Sequence, residues 1–232
     1  MGVIIHEQFE YSDDIQSKQR IEQEEEYMKY LRNHINNVQK SYRELMLPLL
    51  KEDSKLFTKG INRALFSRTE LVRAIIAASK DIKVHDASKY TDIEFDPYRE
   101  HWNPTEVEKT YGEDYWEAVN ERYRNAWVHH YQNNNHHPEF WYDFEKGVAT
   151  DMSLDAIIHM ICDWESFTID SSRSSVDWWL NKGLEERKVM SPLTVARVDD
   201  ILFNLLHDNE IEKKPKESLT PYVLDDKNKR ND

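Results

Sequence analysis

Between Asp151 and Thr168 the chain carries Leu154, Ile157, Ile158, Ile161, Trp164 and Phe167, which surround a helical wheel so broadly that little polar face is left for solvent. A helix of this kind is stable only when other elements wrap it, so the segment predicts a multi-helix core with itself at the centre. Other stretches supply the wrapping. Tyr27, Leu31, His34, Ile35, Val38, Tyr42 and Leu45 recur at three- and four-residue steps on a helix from about 18 to 47. Leu71, Val72, Ile75 and Ile76 do the same from about 69 to 83, with Ser67 or Thr69 available as the cap. Trp116, Val119, Tyr123, Ala126 and Trp127 mark a helix from about 113 to 131, stopped by Asn133 to Asn135 and Pro138. Helices over about 174–188 and 194–208 complete a set of six or seven. Five glycines in 232 residues argue against a turn-rich all-β fold. The expectation is an all-α protein: a single helical bundle over 18–210, preceded by an irregular polar segment, 1–17, and followed by a polar tail, 211–232.

Charge and cysteine usage narrow the function classes. A formal net charge of −13 disfavours general binding to a nucleic-acid backbone, which needs clustered Lys and Arg. The single cysteine, Cys162, lies in the apolar run and reads as a small buried hydrophobe, so no disulfide framework is expected. No apolar stretch approaches a bilayer span, and the first residues turn acidic too soon for a signal peptide. A soluble cytoplasmic protein with no membrane partner is expected.

Polar residues on the predicted apolar faces carry the chemistry. His34 sits on the stripe of the first long helix, His85-Asp86 follows the second, and Asp163 is embedded in the central run. Each has a structural alternative: a core histidine bonded to a carbonyl, a histidine favoured by a helix C-terminus beside a solvated aspartate, a carboxylate paired with an arginine. Together they require three separate coincidences, whereas one divalent cation would satisfy all of them and offset the cost of burying the carboxylates. Mixed nitrogen and oxygen donors suit Mn²⁺, Fe²⁺, Co²⁺, Zn²⁺ or Ni²⁺.

The ordered set His34, His85-Asp86, Asp163 on an all-helical background resembles the HD-domain superfamily of metal-dependent phosphohydrolases. The wider pattern also resembles an uncharacterised phage and bacterial HD-like family over about residues 27–208. It comprises His85-Asp86-Ala87-Ser88-Lys89, Glu94-Phe95-Asp96-Pro97-Tyr98, His129-His130, Asn135-His136-His137-Pro138-Glu139-Phe140-Trp141 and Cys162-Asp163-Trp164. The resemblance implies an HD-like bundle in a bacterial cell or phage-infected host. Lys89 stands where the superfamily's small nucleotidases carry Glu and its cyclic-dinucleotide branch carries Lys.

On this reading His34, His85, Asp86 and Asp163 hold the metal, Asp86 takes a proton from water, and Lys89 grips phosphate oxygens. Helical phase turns His130 inward as a further ligand, while His129, His136 and His137 could bind a second metal ion or the substrate phosphate. His159, one turn before Asp163, is either a core histidine or an orienting partner of that carboxylate. Arg99 and Arg124 are further phosphate candidates. The expected activity is metal-dependent phosphohydrolysis of a nucleotide or another small phosphorylated metabolite. Two other classes stay open: an HD-fold di-iron oxygenase, and a non-catalytic nucleotide-sequestering protein, which the phage resemblance would suit. Trp178-Trp179 could serve a homodimer interface or the core.

Overall fold

A computed structural model describes residues 3–208 except 60, 170, 172 and 182, with side chains from residue 17 onward except 184 and 185. The tail over 211–232 lies outside the described residues. The all-α expectation holds, with a two-stranded hairpin, Tyr142–Asp143 paired to Val148–Ala149, as the one sheet among the described residues. Gly147 takes the left-handed backbone, φ 66°, that this hairpin turn requires. No described helix is long and apolar enough to cross a membrane.

The chain makes two compact units, one from residues up to Asn36 together with Val84–Asn135, the other from Asn37–Lys83 together with His136 onward. The reason lies in the cores. Tyr27, Leu31, Tyr98 and Ala126 make one buried cluster in the first unit, and a larger one in the second gathers Val38, Tyr42, Ile75, Ile82, Ile157, Ile161, Trp179, Val198 and Phe203. The apolar stripe read along 18–47 therefore divides between two cores.

The first unit contains most of helix α1 (Val3–Ser41), then α4 (Phe95–Trp102) packed on α5 (Glu113–Asn133). The segment 1–17, expected to be irregular, is helical from Val3; no Pro or internal Gly interrupts it. Arg99, a phosphate candidate from sequence, is buried on α4 with its guanidinium across both oxygens of Glu108 at 2.9 and 3.2 Å. That pairing commits it to the fold.

In the second unit the chain leaves α1 through a π turn, Tyr42–Met46, and a 3₁₀ turn, Leu47–Leu50, before the short α2 (Lys55–Thr58). The helix expected to reach residue 47 is thus remodelled, and Pro48, which has no N–H to donate, opens the tighter turn. Helix α3 (Arg68–Lys83) begins in a capping box: the Glu70 amide donates to Ser67 Oγ and the Ser67 amide to Glu70 Oε2. Helix α6 (Leu154–Ser166), the apolar segment, packs on α3 and on α9 (Pro192–Asp200) and is almost wholly buried, Cys162 included. Two helices, α7 (Ser175–Asn181) and α8 (Leu184–Lys188), replace the one expected over 174–188. At the break, a Cβ on Gly183 would lie 2.8 Å from the Trp179 ring and its carbonyl oxygen. After α9 the chain continues as a π turn, Ile201–Leu206.

Candidate metal centre

Helix α3 ends at Lys83 and residues 84–86 form a turn, so His85 and Asp86 lie just beyond the helix. Asp86 has φ 54° and ψ 25°, the one non-glycine residue at positive φ among those described. This conformation costs an ordinary L-residue roughly 1–2 kcal/mol, and Asp tolerates it better than most. It ends the turn and starts the 3₁₀ segment Ala87–Tyr90, placing Ser88 and Lys89 directly after the pair.

Three imidazoles gather around the Asp86 carboxylate, all within the first unit. His34 Nε2, from α1, and His85 Nε2 lie 3.0 Å apart, and they stand 3.8 and 3.5 Å from Asp86 Oδ2. His130 Nε2, from the last turn of α5, lies 3.4 Å from Asp86 Oδ1. All four residues are buried. Donor atoms bonded to one ion at about 2.1 Å, with angles between square and tetrahedral, are separated by roughly 3.0–3.4 Å. The His34, His85, Asp86 Oδ2 triangle is slightly larger, which a small side-chain adjustment closes. Two imidazole nitrogens 3.0 Å apart can share a single proton, and a dication would take its place. Buried His and Asp groups among the described residues could hold a metal ion, and the His34, His85 and Asp86 donors fit one.

Other charges complete the setting. Lys89 Nζ is 2.7 Å from Asp86 Oδ2 and lies over the Tyr98 ring at 5.3 Å from its centroid. Glu94, fully buried, accepts from His130 Nδ1 at 2.8 Å, His129 Nδ1 at 2.6 Å and Ser88 Oγ at 3.0 Å. Asn134 Nδ2 donates to Ser88 Oγ and to the His130 carbonyl, each at 2.8 Å. Burial pushes the Glu94 carboxyl up, but the bonds from His130, His129 and Ser88 outweigh it and hold Glu94 below the usual range. For His130 burial favours the neutral ring, and the carboxylates of Asp86 and Glu94 reverse the sign and raise its pKa.

Of the residues singled out from sequence, His34, His85, Asp86, Lys89, His129 and His130 are brought together in the first unit. His129 is partly exposed and reaches the centre through Glu94. The remaining candidates, His136, His137 and Asp163, belong to the second unit. There the His136 ring packs 4.3 Å from those of His137 and His159, and ligand nitrogens of His136 and His159 fall within 4.8 Å of one another. Asp163 is half-buried on α6, and its charge, after burial and Glu139, helps raise the Glu186 carboxyl to about 7. Glu94, Ser88 and Asn134 are not among the residues whose pattern marks them for chemistry. Ser88 and Glu94 sit inside quoted motifs, and a carboxylate opening an aromatic segment was the one available signal.

Residues 23–204 match the profile of a family described as of unknown function (DUF5662). Comparison with curated proteins found no match, and comparison with solved structures found none.

Proposed function

Because the chain belongs to the DUF5662 family, whose description carries no activity, function has to be read from the centre itself, and we propose a metal-dependent phosphohydrolase acting on a nucleotide or another small phosphorylated metabolite. One observation carries the reading: three imidazole Nε2 atoms and a lysine ammonium converge on a single buried carboxylate. Burying so many titratable groups in one place is costly for a scaffold and is useful to a catalyst.

His34, His85, Asp86 and His130 would hold the ion, which supplies Lewis acidity and a nucleophile at neutral pH. The rest falls to the side chains. Asp86 accepts a proton from the attacking water through one oxygen. Lys89, whose ammonium lies over the Tyr98 ring, turns that ammonium from Asp86 to a phosphate oxygen and stabilises the charge that builds there. The imidazoles and the wall formed by buried Tyr98 and partly buried Trp127 against His130 keep bulk water away and strengthen these interactions.

A second reading rests on the two faces of Asp86: Oδ2 meets His34 and His85, while Oδ1 meets His130. A carboxylate so placed could bridge two ions, as a di-iron oxygenase requires. The test is phosphate release from a panel of nucleotides and sugar phosphates with Mn²⁺, Co²⁺, Zn²⁺ and Ni²⁺, beside His85→Ala and Asp86→Asn. Turnover in the wild type and none in the variants supports hydrolysis. Oxygen consumption by the iron-loaded protein without phosphate release favours the oxygenase. If neither occurs but a nucleotide still raises the melting temperature, the protein is a binding module.

A further inference from the structure

Glu94 is the most completely buried acid of the first unit and has no part in the chemistry above. Its backbone is fixed before α4, the amide donating to the Thr91 carbonyl and the carbonyl accepting from the Tyr98 amide, each at 3.0 Å. Its carboxylate therefore has a settled position, and it receives two imidazole Nδ1 atoms and one hydroxyl.

A neutral imidazole carries its proton on one nitrogen, and the shorter, better-compensated bond decides which. For His130 two carboxylates compete. Glu94 Oε2 lies 2.8 Å from Nδ1, while Asp86 Oδ1 lies 3.4 Å from Nε2. Asp86 is also neutralised by Lys89 at 2.7 Å, whereas the donors facing Glu94 are Ser88 and the two histidines. The competition favours Glu94.

We infer that Glu94 is a positioning residue that keeps the proton of His130 on Nδ1, so that Nε2 faces Asp86 as a lone-pair donor able to bind a metal ion. Asn134 and Ser88 brace the arrangement: Asn134 Nδ2 reaches the Ser88 hydroxyl, whose own proton goes to Glu94. His129, held by the other oxygen, stops the carboxylate from rotating away. A carboxylate behind a metal-binding histidine fixes ring orientation and raises ligand basicity, and losing it typically weakens binding about ten- to a hundredfold. The inference rests on the metal reading of the centre only for its consequence; the tautomer stands by itself.

The test uses the full-length, metal-stripped, ¹⁵N-labelled protein at alkaline pH, with long-range imidazole ¹H–¹⁵N correlations assigned through His130→Gln. The wild type is expected to carry the His130 proton on Nδ1, and a proton on Nε2 overturns the inference. In Glu94→Gln, whose amide can accept or donate, an Nε2–H population should appear, and Zn²⁺ affinity by chelator competition should fall about ten- to a hundredfold with the metal-free melting temperature within a few degrees. A folded Glu94→Gln with wild-type zinc affinity overturns the inference. Because the tautomer is read in the wild type, a variant that fails to fold leaves the test intact. A wild type that binds no zinc yet shows Nδ1–H supports the positioning role and overturns the metal reading.

Discussion

Lys89→Met probes the charge balance of the centre most sharply, because the ammonium and a bound cation would compete for one oxygen. Lys89 Nζ lies 2.7 Å from Asp86 Oδ2 and its side chain is 14% exposed. Unit charges about 4 Å apart at an effective dielectric of about 20 interact by roughly 4 kcal/mol, and a divalent ion at Oδ2 would meet at least that repulsion. The flexible stem can swing the ammonium toward water and relieve more than half of it, leaving about 1–2 kcal/mol, or roughly a five- to thirtyfold penalty on metal affinity. Methionine keeps an unbranched side chain of similar length and removes the charge. Zn²⁺ should therefore bind Lys89→Met about five- to thirtyfold more tightly by chelator competition, and the metal-free variant should lose stability in urea because Asp86 has lost its counter-ion. Phosphate release should drop although metal is bound better. Unchanged or weaker zinc binding in a folded Lys89→Met would mean that Lys89 does not share its oxygen with the ion.

Two further outcomes follow from single residues. The left-handed backbone of Asp86 makes Asp86→Gly more stable than Asp86→Ala by about 1–2 kcal/mol, although each loses the carboxylate; equal urea midpoints for the metal-free variants would mean that the turn does not impose this conformation. In the second unit, burial, with Glu139 and Asp163, raises Glu186 to about 7. A raised carboxyl pKa contributes stability fully present below its unfolded value, about 4.5, and lost as pH rises through 7. Glu186→Gln should accordingly gain on the order of 1–3 kcal/mol over the wild type at pH 8 and little at pH 4, and a difference independent of pH across urea titrations would contradict the assignment.

The helices were legible because burial imposes a period. Leu154, Ile157, Ile158 and Ile161 leave α6 no polar side, and the Ser67–Glu70 box fixes the start of α3. Which stripes meet is not written in any period, so the division of Tyr27 and Leu31 from Val38 and Tyr42 into two cores was invisible. The π turns at Tyr42–Met46 and Ile201–Leu206 keep an apolar pattern that reads as ordinary helix. At the centre, His34, His85, Asp86 and His130 could be found because polar groups on apolar faces need partners. Glu94 could not: its meaning depends on α4 packing against α5 so that one carboxylate meets His129 and His130. A glutamate among Asp92, Asp96 and Glu100 looks like another solvated acid until its exposure is known to be nil. Arg99 failed in the opposite direction, an arginine read as a ligand grip that pairs with Glu108.

The most direct test of the metal centre is metal content per chain after reconstitution with Zn²⁺ or Co²⁺ and removal of loosely held ions, measured on the wild type, His34→Ala, His85→Ala and Asp86→Asn. The account predicts about one or more retained ions per wild-type chain, the absorption of nitrogen- and oxygen-ligated Co²⁺, and loss of both in each variant while helical circular dichroism persists. A folded wild type that retains no ion, or variants that retain it as well as the wild type, would contradict it.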